Sequence, residues 1–151
     1  MKILIIHHLE PEWEIGFNKM MTSFDDLQFK FLSHLRRVKY ERVILTRFED
    51  YRLTDDYIPA LREKIDKVEN YGYGWEKSSI KEEIEACPEY PGNWTEDGNH
   101  SEIVWLAPFI KELKGENVFV SGAFSGECLE DLEIALTACD VKFKRVKSLI
   151  L

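Results

Sequence analysis

Asn117–Leu151, NVFVSGAFSGECLEDLEIALTACDVKFKRVKSLIL, is the stretch whose reading decides the fold. Val118-Phe-Val-Ser reads as a buried strand, Gly122 and Gly126 bracket a turn, an amphipathic run from Cys128 reads as a helix, and a second strand follows. A strand–helix–strand unit of this kind is the building block of an open α/β sheet. Functional sites in such sheets lie just beyond the carboxyl ends of the strands, which points to the Gly122–Cys128 turn. Cys128 falls at the helix start, where backbone N–H groups lack intrahelical partners and the dipole is positive. Such a position holds an anion or favours a thiolate.

The same alternation extends toward the amino terminus. Lys2–His7 is a short apolar run suited to an interior parallel strand. Phe24, Leu27, Phe31, Leu32 and Leu35 recur at helical spacing to about Arg37, with Ser23 as N-cap. Glu41–Phe48 predicts another strand. Thr54 or Asp55 then caps a helix running to about Val68, with Ile58, Leu61 and Ile65 on its inner face. Asn70–Trp75 reads as a glycine-broken strand or a loop, and Ser78–Ala86 as a short charged helix. An irregular connection rich in proline and glycine follows, and Ser101–Leu113 returns to a helix that Pro108 kinks or splits. The expectation is one α/β domain over residues 1–151: a three-layer, Rossmann-like arrangement with a mostly parallel sheet and helices on both faces.

Composition bounds the function classes. The chain has 151 residues, 44% hydrophobic and 32% charged, a globular balance large enough for one substantial core. A net charge of −8 argues against phosphate-driven nucleic-acid binding, and Arg36, Arg37, Lys39, Arg42 and Arg47 are expected to be dispersed over different faces. No apolar run approaches the roughly 20 residues of a membrane helix, and MKILIIHHL reads as a strand rather than a signal peptide. Three cysteines without a C-x-x-C pair argue for reduced thiols and a cytoplasmic setting.

The chemistry-bearing residues gather in two places. In Gly122-Ala-Phe124-Ser125-Gly126 the glycines permit close backbone approach, and Ser125 is placed to cap the helix. Neither the dinucleotide nor the nucleoside-triphosphate glycine fingerprint is present. Val118-Phe-Val-Ser-Gly122-Ala-Phe-Ser-Gly-Glu-Cys128-Leu, with the helix and strand after it, resembles the isochorismatase-like cysteine hydrolases. In that family a strand ends in glycine and a cysteine follows six residues later at a helix start. The resemblance covers the last third of the chain and implies a three-layer α/β/α fold with Cys128 as nucleophile. The family's aspartate after the first strand is replaced here by His7-His8-Leu9-Glu10, and its lysine has no counterpart in Asn93–His100.

The second gathering is His7, His8 and Glu10 after the first strand, joined by His100 at the later helix start. A neutral histidine beside a carboxylate transfers protons, while no tight metal-ligand spacing is present. Trp75, with Tyr73 and Trp94, sits in loop-like sequence suited to stacking on a ligand or anchoring a partner. Two functions follow. The first is binding or hydrolysis of a small anionic or nucleotide-like ligand, with Cys128, His7, His8 and Glu10 catalytic, Gly122, Phe124, Ser125, Gly126, His100 and Trp75 lining the site, and no cofactor or metal. The second is a non-catalytic acidic interaction or regulatory protein, such as a viral accessory factor, that engages a protein partner through its loop aromatics. Homo-oligomerisation is left open by the sequence.

Overall fold

The computed structural model describes residues 1–11, 18–48, 57–71, 86 and 109–151. Trp75, His100, Tyr73, Trp94 and the long proline-rich connection lie outside these residues, as does nearly all of the 78–86 segment.

Five strands form one sheet: β1 (Lys2–His7), β2 (Arg42–Phe48), β3 (Lys67–Tyr71), β4 (Asn117–Gly122) and β5 (Phe143–Ile150). Every pairing is parallel, and the order across the sheet is β3-β2-β1-β4-β5. Among the described residues three complete helices accompany them: α1 (Phe24–Arg37), α2 (Pro59–Arg62) and α3 (Cys128–Ala138). The chain is therefore an α/β protein, and the sheet is parallel throughout its described strands.

β1 lies in the centre, which explains why ILII is continuously apolar instead of alternating. Ile5 stands level with Ile44 and Val120, and all three join the core that packs on α3 and Phe109, Ile110 and Leu113. Leu4 stands level with Val43 and Phe119 and faces the opposite core, built with Phe24, Leu27 and Phe31 of α1 and Leu61 of α2. Helical residues thus cover both faces of the sheet. α1 starts where expected, because Ser23 accepts a hydrogen bond from the Asp26 N–H at 3.1 Å and Asp25 and Asp26 favour the positive helix end.

One expected helix is corrected. The apolar spacing suggested a helix to about Val68, but α2 ends at Arg62 and β3 begins at Lys67. Asp66 explains the break: its N–H donates to the Val43 carbonyl at 2.8 Å, and its carboxylate accepts from the Val43 N–H at 2.6 Å. That backbone clamp sets Lys67–Tyr71 alongside Ile44–Phe48. Ile58, Leu61, Ile65 and Val68 reach the same core by this route, so their spacing fits a short helix followed by a strand as well as one long helix.

Candidate functional site

The strand order reverses direction between β1 and β4, so their carboxyl ends flank the natural crevice of the sheet. Thr46, His7 and Gly122 form one row across β2, β1 and β4 at that edge. Gly122 has φ +110°, and a Cβ there would lie 1.9 Å from the His7 carbonyl oxygen, so only glycine permits this approach. Immediately after it, the Ala123 N–H donates to the His7 carbonyl at 2.9 Å. The Ala123–Phe124 peptide is cis.

His7 is fully enclosed. Its Nδ1 lies 2.7 Å from the Thr46 hydroxyl, itself completely buried. Burial, and next the neighbouring His8, hold His7 well below the ordinary histidine range. A hydrogen bond to the Cys128 backbone acts in the opposite sense, the sign given by a carbonyl that accepts from a ring N–H. His7 therefore links β1, β2 and the first turn of α3 through a neutral ring, bringing residues at opposite ends of the chain together.

His8 turns out of the strand with φ 56°, while its N–H donates to the Thr46 carbonyl at 3.1 Å. The turn sets the His8 ring edge-on to His7, with centroids 4.3 Å apart, and brings its Nδ1 to 3.4 Å from the Glu10 carboxylate. His8 and Glu10 are 1% and 2% exposed, so this imidazole–carboxylate pair is shielded from water. Leu9 between them points into the core, and its carbonyl accepts from the Tyr57 hydroxyl.

Cys128 is the first residue of α3 and is half-buried. Ser125 does not cap the helix. The N-cap is Glu127, without a side-chain cap hydrogen bond, and Ser125 is exposed three residues before Cys128. Its N–H is instead taken by the Leu151 carbonyl at 2.5 Å, which ties the turn to the end of β5. Phe124 is half-buried against the α1-side core, and its carbonyl accepts from Glu127 and Leu129. The N–H groups of Glu130 and Asp131 go to the Glu127 carbonyl. Several donors that an anion would use are thus committed to the turn itself, and Glu130 and Asp131 in the first helical turn oppose a thiolate.

Sequence reasoning did not place Thr46 or Tyr57 at this edge, and it read Arg47 only as part of a dispersed basic run. Arg47 is completely buried at the carboxyl end of β2, with its guanidinium 5.9 Å from the centre of the Tyr57 ring. For Thr46 and Arg47 the signal was a polar pair directly after the apolar run Val43-Ile-Leu45 of β2. Among the described residues no three His, Cys, Asp or Glu side chains gather closely enough to hold a metal ion. No described helix is long and apolar enough to cross a membrane. No family model, curated protein or solved structure matches this chain.

Proposed function

We propose that the β1–β4 crevice binds a small anionic or nucleotide-like molecule and hydrolyses it through Cys128, in the manner of the cysteine hydrolases its last third resembles. The observation that carries this reading is the shielded His8–Glu10 pair following His7, which itself stands level with Gly122 and contacts the Cys128 backbone. A carboxylate that orients an imidazole is the usual support for a general base. In the reaction Sγ attacks the acyl or imidoyl carbon, its proton passes to the His8–Glu10 pair, and the leaving group departs with a proton returned from that pair. Water then cleaves the thioester or thioimidate by the same route. His7, buried with its Nδ1 at the Thr46 hydroxyl, holds the geometry instead of taking the proton. Gly122 and Gly126 shape the turn, and Phe124 supplies an apolar wall.

The test is a thermal-stability screen of nucleotides, small acids and amides on the wild type and Cys128→Ser, followed by turnover of each stabilising compound. A ligand bound only by the native state at 100 times its Kd stabilises by about 2.7 kcal/mol. The reading expects at least one selective ligand, loss of turnover in Cys128→Ser, and retained binding. Full turnover without the thiol, or no stabilising ligand across the panel, sinks it.

A further inference from the structure

Among the described residues the sheet is unevenly covered on its α1 side. α1 and α2 pack over β1, β2 and β3, whereas Phe119 of β4 and Val146 of β5 stay half-buried on that core's margin. Lys144, level with Phe119 on the edge strand β5, is exposed. Its Nζ lies 5.9 Å from the centre of the Phe119 ring, and the Lys2 Nζ lies 5.3 Å from the same ring and 4.8 Å from Tyr40. Tyr40 and Phe119 meet edge to face at 5.6 Å, and the Tyr40 hydroxyl lies 2.9 Å from His34 Nε2. Arg37 and Lys2 are close enough to help hold His34 below the ordinary histidine range, after burial itself. Two lysine ammoniums therefore lie over two half-buried aromatic rings, with Arg37 near His34 beyond them, on a chain whose net charge is −8.

Two described carboxylates lie close to Lys2 and Met1. Glu41 accepts from the Lys2 N–H at 2.5 Å, and Glu116 pairs with the Met1 ammonium. Arg145, also on β5, reaches the other face and pairs with Glu133 of α3.

We propose that this face, floored by Phe119, Tyr40 and Val146 and rimmed by Lys2 and Lys144, docks an acidic segment of a partner protein in which carboxylates alternate with apolar side chains. Charge complementarity carries the choice. Lysine ammoniums lie over the Phe119 ring, which leaves carboxylate pairing favoured over stacking by a nucleobase. β5, the edge of the described sheet, adds backbone groups on which an extended segment pairs as a further strand.

The probe is a pool of octapeptides with glutamate at alternate positions and Leu, Ile or Phe between them, beside a matched pool with glutamine for glutamate. Amide NMR spectra of the full chain are followed during titration, and affinities are measured for wild type, Lys144→Glu, Lys144→Gln and Cys128→Ser. The expected result is shifts confined to the surroundings of Lys2, Tyr40, Phe119 and Lys144, with selectivity for the glutamate pool. Lys144→Glu should lower affinity at least tenfold and Lys144→Gln by less, each with an unchanged melting temperature, while Cys128→Ser should have no effect. That last variant separates this surface from the β1–β4 crevice. The proposal is overturned by equal binding of the glutamine pool, by indifference to Lys144→Glu, by shifts elsewhere, or by displacement with equimolar inorganic phosphate. Lys144-dependent dimerisation in place of peptide binding also overturns it.

Discussion

His7 shows how one side chain couples the strand ends to pH. The folded protein holds its ring neutral, well below the ordinary histidine value, because the ring is buried. An unfolded chain takes up that proton below about pH 6.5. Unfolding therefore gains a proton in acid, and stability falls as pH drops below about 6.5, with a slope of about 1.4 kcal/mol per pH unit from this residue. Denaturant unfolding between pH 7.5 and 5.5 should show this slope, and His7→Asn should remove about one proton from it. An unchanged slope would mean that His7 is protonated in the fold. Glycine supplies a second test at this scale. Gly122→Ala, whose methyl meets the His7 carbonyl, should cost about 3 kcal/mol or more or prevent folding. Gly126→Ala meets nothing within 4 Å and bears only its positive φ, so about 1 kcal/mol is expected in the same urea titration.

Among the elements, α1 and α3 start by different means. Ser23 caps α1 through its hydroxyl, and Ser23→Ala should lower stability by about 1 kcal/mol. Ser125 works through its backbone, so Ser125→Ala should change stability by less than about 0.5 kcal/mol. A larger loss in the second variant would restore the side-chain cap that its sequence position suggested. α3 depends on packing: Leu129, Leu132, Ala135 and Leu136 are completely buried, and Leu132→Ala should cost about 2–5 kcal/mol by chemical denaturation. The contrast with residues 54–68 is instructive. α1 was legible because its cap and apolar stripe agree. The segment after Asp55 was misread because its stripe fits two structures, and the bond between Asp66 and Val43 spans two strands.

At the scale of the whole molecule, the sheet order sets both stability and the location of the crevice. β1 is paired on both sides and covered on both faces, whereas β3 and β5 are the edges of the described sheet. Amide exchange should therefore be slowest at Leu4, Ile5 and Ile6 and faster along β5, and the reverse ranking would contradict the strand order. The sequence by itself determined the α/β class, the position of β1 and β4, and Cys128 at the start of a helix. Each of these is local: a continuous apolar run marks a doubly covered strand, and glycines followed by an amphipathic stretch mark the turn into a helix. Only the tertiary structure decided that Thr46, His7 and Gly122 share one row, that His8 turns toward Glu10, and that Lys2 and Lys144 meet over Phe119. Those partners are far apart in the chain or depend on a single left-handed residue, and no local periodicity encodes which strand lies beside which. Parallel pairing brings them together because burial of both sheet faces fixes the strand order and register for the molecule as a whole.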